Sequence, residues 1–193
     1  MSRIMLYHTG YDKIPEPDIH YGRRNADFGQ GFYLSDNEEF SKRWARERKG
    51  STIYLNRYEL DTDGLKIKTL SRNAEWFDYV YNNRSGQPDK LSEYGVVVGP
   101  IANDTIYDTW GITTSGLPDR EQALRLLMIG SLYMQTVIKT DKAVRQLRFI
   151  SADIPDSSEI SQYRKAVRKE EEEFQLLFSE KLAAMAGISL DPC

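Results

Sequence analysis

Cysteine and histidine are scarce in this chain. Its 193 residues include one cysteine, Cys193, and two histidines, His8 and His20. A disulfide within the chain is therefore impossible, which is typical of proteins from reducing compartments. The two histidines are twelve positions apart with no cysteine near them, so the sequence predicts no zinc site and no other bound metal.

Long apolar runs and an excess of charge of either sign are also missing. No window approaches the ~18 apolar residues of a membrane helix, and the N-terminal segment does not resemble a signal peptide. We therefore expect no membrane association and a cytoplasmic location. The net charge is −3, from 26 basic and 29 acidic side chains, so no bulk attraction to nucleic acid is expected.

The signatures of several common enzyme classes are absent from the sequence. There is no Walker-type phosphate loop and no nucleophile elbow. The Gly-Gln-Gly sequence at 29–31 is not a dinucleotide-binding fingerprint of the Rossmann type, because it precedes a predicted strand rather than a helix.

Apolar residues are abundant enough for a real core. Hydrophobic residues make up 40% of the sequence and aromatic residues 11%. A chain of this length is most simply one domain with an appendage. We place the main domain over residues 1–150 and a helical extension over residues 151–193.

Short strands interleave with helices in an irregular order, which predicts an α+β fold. Apolar segments between turn residues indicate strands, and polar caps before amphipathic segments indicate helices. The predicted strands cover 3–8, 31–35, 51–60, 65–70, 94–98, 133–140 and 147–150. The predicted helices cover 37–49, 73–83, 103–110, 118–129, 141–146 and 158–185. Asp36 or Ser35 is the predicted cap of the first helix, and Gly50 is its predicted stop.

Two segments near the N-terminus carry the strongest functional signal. Residues 6–10 read Leu-Tyr-His-Thr-Gly, and residues 27–35 read Asp-Phe-Gly-Gln-Gly-Phe-Tyr-Leu-Ser. Glycines two positions apart let a backbone turn tightly and come close to a ligand. The pattern predicts two strand ends that meet over one pocket, with His8 and Tyr33 at its mouth.

Together these segments resemble the ADP-ribosyltransferase superfamily, in the branch with a His-Tyr-Glu type triad that includes diphtheria-like toxins and poly(ADP-ribose) polymerases. There the first strand ends in Leu-aromatic-His-Gly, and the second carries Phe-Gly-Lys-Gly-Ile-Tyr-Phe. The chain to about Phe149 is most similar to a small bacterial family of unknown function placed in that superfamily. Residues 22–29 match its Gly-Arg-x-Asn-x-Asp-Phe-Gly pattern, and 134–140 match its late Asn-Gln-aliphatic strand and Lys-Thr in part. The resemblance implies a split, mostly antiparallel β-sandwich around a nicotinamide cleft, with flanking helices and a C-terminal helix.

The resemblance also implies roles for His8 and Tyr33. The imidazole of His8 can donate and accept at once, and would hold the adenosine-side ribose of NAD. The ring of Tyr33 would stack on the nicotinamide. From the residues alone, a satisfied histidine at a strand end and a core tyrosine are the alternatives. His20 lies in a proline-containing loop and is expected to be exposed.

Ser41 and Trp44 follow Tyr33 at the spacings at which the polymerases carry a carboxamide-binding serine and a second stacking aromatic residue. Three positions apart on the predicted helix, they share one face. The alternative is that Trp44 belongs to the helix core beside Phe40. Thr9 stands where the family has glycine, and its backbone N–H and C=O would still bind the carboxamide.

Gln135 falls at the position of the catalytic glutamate. The reaction needs a group near the nicotinamide ribose that stabilises the oxocarbenium-like transition state. Glutamine can form the hydrogen bond but carries no charge. NAD binding is therefore better supported than efficient turnover. The alternative is a polar side chain on the outer face of an edge strand.

Two further NAD contacts are predicted around the glycine turn. Arg24 would grip the pyrophosphate with its planar fork, and Gly31 would let the backbone approach the ligand. Asn25 and Asp27, in the same segment, would serve only to form the turn by bonding their own backbone.

The function implied by the resemblance is an NAD-dependent ADP-ribosyltransferase, with NAD as substrate and no metal. Similar proteins are often toxins of toxin–antitoxin or anti-phage systems, so an antitoxin is an expected partner. The acidic charge balance favours a protein over a nucleic acid as acceptor.

Two other hypotheses stay open at this stage. The first is an NAD- or nucleotide-binding module of the same fold without turnover. The second is an interaction protein that acts through the apolar stripe of the C-terminal helix. Such a stripe is also typical of a helix packed on its own domain.

Overall fold

The computed structural model describes residues 2–45, 48–102 and 120–185. Within these ranges the chain forms seven strands and five helices. The strands are β1 (Arg3–Gly10), β2 (Phe32–Leu34), β3 (Tyr54–Asp61), β4 (Ile67–Thr69), β5 (Val96–Pro100), β6 (Met134–Ile138) and β7 (Leu147–Asp153). The helices are α1 (Glu38–Arg43), α2 (Ala74–Arg84), α3 (Arg120–Leu127), α4 (Asp141–Arg145) and α5 (Ser157–Met185). None of the described helices is long and apolar enough to cross a membrane.

The α+β prediction is confirmed, and the strands form two sheets. The first sheet has the order β1-β3-β7 and is antiparallel throughout. The second has the order β2-β6-β5-β4, with antiparallel pairs except for the parallel pair β4–β5. All seven strands begin and end within three residues of their predicted bounds.

A single β-bridge joins the two sheets. The Tyr7 N–H donates to the Ser35 carbonyl at 2.8 Å, and the Ser35 N–H donates to the Tyr7 carbonyl at 2.9 Å. The opposite edge of β1 is fully paired with β3 from Arg3 to Gly10. The bridge therefore holds the C-terminal end of β1 beside β2, which brings the two predicted motif segments together.

Two apolar clusters form the core. One fills the space among α2, β5, β6, α3 and α5, and includes the fully buried side chains of Phe28 and Trp76. The other lies among β1, β2, β3, β6 and α4, around Leu6, Tyr58 and Ile138. Phe28, from the glycine motif, is therefore a core residue, and the motif is anchored from inside the molecule.

Helix α5 packs on the rest of the chain. Ile160, Phe174 and Phe178 are buried, and the two phenylalanines belong to the α2–β5–β6 cluster. Two ion pairs fasten the same helix to α1, at 2.6 Å between the Nζ of Lys42 and Glu159 and at 2.5 Å between Arg43 and Glu170. Much of its apolar stripe therefore serves packing, while Leu176 and Leu177 stay exposed.

Helix α1 differs from its prediction at both ends. Its N-cap is Asn37, whose side chain accepts from the Phe40 N–H at 2.9 Å. The hydroxyl of Ser35 instead accepts from the N–H of Asn37 at 3.0 Å, which makes Ser35 part of the approach to the helix. The helix ends at Arg43 with Trp44 as its C-cap, well before Gly50, and the next residue, Ala45, is buried. The predicted helix at 103–110 and the predicted start at 118 lie outside the described residues.

Candidate functional site

A cavity of about 240 Å³ lies where β1, β2 and β6 meet α1. Six of the side chains that the sequence singled out share this cavity. The lining residues are Tyr7, His8, Thr9, Tyr33, Leu34, Ser35, Phe40, Ser41, Trp44, Ile101 and Gln135. We take this cavity as the candidate site, since four separate elements bring polar and aromatic groups to it.

A locked glycine turn stands behind the cavity. Gly29 has φ of 71°, a conformation that suits glycine, and its N–H donates to Ala26 at 2.9 Å. The Tyr33 hydroxyl donates to the Gly29 carbonyl at 2.6 Å and accepts from the Phe28 N–H at 3.0 Å. The ammonium of Lys139 also binds the carbonyl oxygens of Phe28 and Gln30. These bonds fix the plane of the Tyr33 ring against the cavity.

The hydroxyl and the ring of Tyr33 therefore have separate roles. Burial raises the pKa of Tyr33 well above its ordinary value, so the phenol stays protonated and keeps donating to Gly29. We expect Tyr33→Phe to lower the free energy of unfolding by about 1–2 kcal/mol, because two backbone groups lose their partner. Urea unfolding measures this loss. Tyr21→Phe, at a side chain 93% exposed, is the matched control. A Tyr33→Phe protein as stable as the control would contradict the turn-locking role.

His8 presents one nitrogen to the protein and leaves the other available. Its Nδ1 lies 2.8 Å from the Tyr33 carbonyl oxygen, which can only accept, so Nδ1 carries the proton. Nε2 is then the acceptor of a neutral imidazole. Burial lowers the pKa of His8 below its ordinary value of 6.5 and favours this neutral form. His20 is exposed in its loop, as predicted.

Thr9 brings a free stretch of backbone to the cavity. In a regular antiparallel ladder, residues two apart direct their N–H and C=O groups to the same edge. Tyr7 uses that edge of β1 for the bridge to Ser35, so Thr9 directs its own N–H and C=O to the same side. Its side-chain hydroxyl lies 3.0 Å from the hydroxyl of buried Ser41, which ties β1 to α1. The backbone N–H and C=O of Thr9 together form a donor–acceptor pair that can bind a primary amide.

Trp44 forms an aromatic wall that is open to solvent. It is 51% exposed and contacts Phe40 edge-to-face, with ring centroids 6.0 Å apart. Phe40 stacks in turn on Tyr133 at 4.4 Å, and the guanidinium of Arg43 lies 4.7 Å from the Tyr133 ring centroid. The alternative of Trp44 as a core residue is wrong, since its ring is half exposed at the mouth of the cavity.

Gln135 lies on an interior strand. Strand β6 sits between β2 and β5, and the side chain is 8% exposed. The alternative of an outer face on an edge strand is therefore wrong. Its Nε2 donates to Oδ2 of Asp27 at 3.2 Å, and the residue also lines the cavity.

Asp27 is the functional neighbour that the sequence did not identify. Its carboxylate is buried and accepts from Arg84 at 2.7 Å, from the Ala102 N–H at 3.0 Å and from Gln135. Its backbone carbonyl accepts from Asn83 at 3.1 Å. We expected Asp27 only to form the turn. An acidic residue before a glycine turn looks the same in the sequence whether it forms the turn or binds distant partners. The sequence therefore could not predict the buried partners of Asp27.

Arg24 and Gly31 do not line the candidate site. Arg24 is exposed and lines a separate cavity of about 420 Å³ that shares none of its lining residues. Gly31 faces β6 instead: a Cβ there would lie 2.6 Å from Cγ1 of Val137 and 2.7 Å from the backbone oxygen of Ile138. The structure explains this glycine by close strand packing.

A larger cavity of about 640 Å³ adjoins the candidate site. The two cavities share Phe40, Trp44 and Ile101 in their walls. The larger one extends between α1 and α5, past Tyr133 and Phe174. A ligand longer than one ring could therefore continue from the candidate site across Trp44.

The lining of the candidate site suits a flat, uncharged group. Its described lining includes aromatic rings, hydroxyls, a neutral imidazole and an amide, and none of these described residues is acidic or basic at neutral pH. Pockets for whole cofactors usually enclose roughly 300–1,000 Å³, so this cavity fits one ring with a small polar substituent. No cluster of three or more His, Cys, Asp or Glu capable of holding a metal was found in the described part of the chain.

Comparison with known proteins gives one match. Residues 4–149 match the model of a family described as "Protein of unknown function (DUF3990)". No curated protein and no solved structure matches the chain. The matched region covers well over half of the 193 residues and includes every residue that lines the candidate site. The chain therefore belongs to the DUF3990 family of proteins of unknown function.

Proposed function

We propose that the protein is an ADP-ribosyltransferase that uses NAD. The observation that carries this proposal is the convergence of His8, Tyr33 and Gln135 on one ring-sized cavity, with Ser41 and Trp44 beside them. Motifs and spacings in the sequence single out these five residues independently of any contact between them. They come from β1, β2, β6 and the segment around α1, so their meeting is a property of the fold.

In the proposed complex the nicotinamide ring lies against Tyr33 and Trp44. The backbone of Thr9 binds its carboxamide, with the Ser41 hydroxyl near by. Nε2 of His8 accepts from a hydroxyl of the adenosine-side ribose, and Oε1 of Gln135 accepts from a hydroxyl of the nicotinamide ribose. The remainder of the dinucleotide runs past Trp44 into the adjoining cavity.

The proposed reaction breaks the bond between C1 of the ribose and the nicotinamide nitrogen. The bonding electrons leave with nicotinamide, and the ribose develops oxocarbenium character. A nucleophile of the acceptor then bonds to C1 and loses its proton. Holding the ring and the ribose in one geometry contributes through orientation, and the dipole of Gln135 stabilises the developing positive charge.

The wider biological role follows the same resemblance. We propose a macromolecular acceptor, with protein favoured over nucleic acid by the net charge of −3. A toxin of a toxin–antitoxin or anti-phage system, active in the cytoplasm and held by an antitoxin, is the corresponding proposal for its context.

A second candidate function is NAD binding without turnover. None of the described lining residues is acidic, which favours this candidate, since a glutamate usually supplies the negative charge at this position of the superfamily. Such a module would bind NAD through the same contacts and act through a partner. The two candidates differ only in whether the glycosidic bond breaks.

Nicotinamide release from NAD separates the two candidates. We expect release by the purified protein when cell lysate supplies the acceptor, and none from His8→Ala or Tyr33→Ala. His20→Ala, at the exposed second histidine, is the control and should release nicotinamide at the unchanged rate. Binding of NAD in calorimetry without release would assign the binding module. Neither binding nor release would reject both.

A further inference from the structure

We propose that Asp27 is a positioning residue that fixes the orientation of the Gln135 amide. In this orientation the carbonyl oxygen of Gln135, rather than its NH₂ group, faces the candidate site. The ligand part of this inference rests on the proposed function, and it adds a residue that the resemblance does not assign.

The orientation follows from which atoms can donate. Gln135 lies 3.2 Å from Oδ2 of Asp27, and an ionised carboxylate only accepts. The amide must therefore turn its Nε2 toward Asp27, which directs Oε1 the other way. Within the described ranges no donor is found for that oxygen, while the residue lines the cavity. Oε1 is thus available to a hydroxyl of a ligand.

The carboxylate cannot rotate to suit a flipped amide. Arg84 of α2 holds Oδ1 from Nε at 2.7 Å and from a terminal nitrogen at 2.6 Å. The N–H of Ala102, just after β5, holds Oδ2 at 3.0 Å. The backbone of Asp27 is held by Asn83. Two separate parts of the chain, the end of α2 and the residue Ala102, therefore define where Oδ2 lies, and Oδ2 in turn sets the orientation of the amide.

Asp27 sets the orientation of the Gln135 amide but adds no net charge to the site. The guanidinium of Arg84 offsets its negative charge at salt-bridge distance. What reaches the cavity is one hydrogen-bond acceptor at a fixed place, which selects ligands that carry a hydroxyl there. The same contact explains why an amide suits position 135, because a second carboxylate at this distance from Asp27 would repel it.

The test compares NAD with its analogue that lacks the 2′-hydroxyl of the nicotinamide ribose. We expect the wild-type protein to bind NAD about tenfold more tightly in calorimetry, the factor that corresponds to one hydrogen bond. Asp27→Asn presents an NH₂ group that lets the Gln135 amide turn, so neither of its groups is held at a fixed place and the preference should fall to about threefold or less. A folded Asp27→Asn protein that keeps the full preference overturns the inference.

Gln135→Glu serves as the second variant and leaves Asp27 and Arg84 intact. The new carboxyl and Asp27 would share a proton, so the pair titrates above the ordinary glutamate value of about 4.3. Below that pKa the protonated carboxyl donates to Asp27 and presents a carbonyl oxygen, as glutamine does. Above that pKa the ionised carboxyl is repelled by Asp27 and accepts with a full charge, so we expect the preference for NAD to match the wild type at about pH 5.5 and to differ from it by about pH 8.

Among the described residues, Asp27 and Arg84 lie behind this position, and Tyr7, His8 and Tyr33 line the same cavity. The wild-type protein carries all five, so the ratio of the variant's preference for NAD to that of the wild type isolates the effect of the new carboxyl. A ratio independent of pH over this range would overturn the inference.

One readout does not depend on NAD. The side-chain ¹⁵N–¹H pair of Gln135, assigned by its loss in Gln135→Glu, should shift in Asp27→Asn. If the wild-type protein binds neither NAD nor the analogue, the proposed function fails, and this shift alone decides whether Asp27 orients the amide. An unshifted pair would overturn the inference whatever the ligand.

Discussion

We expect Gly31→Ala to lower the free energy of unfolding by about 3 kcal/mol and to disrupt the candidate site. The added Cβ would lie 2.7 Å from the backbone oxygen of Ile138 and 2.6 Å from a methyl of Val137. Ile138 pairs with β2 on one side and β5 on the other, so its carbonyl cannot move without disturbing the second sheet. Strand β2 would separate from β6 and carry Tyr33 away from Gln135.

Urea unfolding and NAD calorimetry check both parts of this expectation. Gly95→Ala is the matched control, since a Cβ there would make ordinary contacts, at 3.4 Å from Leu65 and 3.5 Å from Ala143. We expect the control to change stability by less than about 1 kcal/mol and to leave binding intact. Equal stability of the two variants would show that the close approach of β2 to β6 is not what requires glycine.

The second large effect that we expect is the loss of the proposed NAD binding as His8 becomes protonated. Burial lowers the pKa of His8 below 6.5, so the imidazole is neutral at pH 7 and Nε2 can accept. Protonation turns Nε2 into a donor and removes the acceptor for the ribose hydroxyl. The dissociation constant should stay constant from about pH 7 to 8 and rise about tenfold per pH unit below the folded pKa.

Stability should follow the same sign. The folded-state pKa lies below the unfolded value, so the unfolded chain binds more protons as the pH falls. The stability linked to His8 is therefore complete above about pH 6.5 and is lost as the pH falls through the folded pKa. His8→Gln keeps an acceptor that does not titrate, and its binding should lack this dependence. A pH dependence unchanged in His8→Gln would assign the titration to another group.

The local elements could be predicted because their signals are local. Apolar segments between turn residues indicate the strands, and an asparagine or threonine before an amphipathic segment marks the start of α2 and α4. The pairing of the strands is not local. The bridge between Tyr7 and Ser35 joins residues far apart in the chain, and β6 enters the second sheet between β2 and β5. For this reason the edge-strand alternative for Gln135 could be rejected only with the structure.

The residues of the candidate site also fall into those with a local sequence signal and those without one. His8 and Tyr33 stand in motifs, and Ser41 and Trp44 at fixed spacings from them, so a resemblance could find all four. Asp27 could not be found, because its role depends on Arg84, 57 residues later in the sequence. The function of Gly31 was likewise set by a distant strand, since the atoms it avoids belong to β6.

Helix α5 acts as a strut for one wall of the cavity. It begins at Ser157, beyond the region that matches the family, yet its Glu159 and Glu170 hold Lys42 and Arg43, the two α1 side chains between Ser41 and Trp44. Glu170 also accepts from the hydroxyl of Tyr133, whose ring supports Phe40. The rigidity of the aromatic wall is therefore set by a part of the chain that carries none of its motifs. Two family members with identical motifs and different C-terminal helices would therefore differ in the rigidity of this aromatic wall.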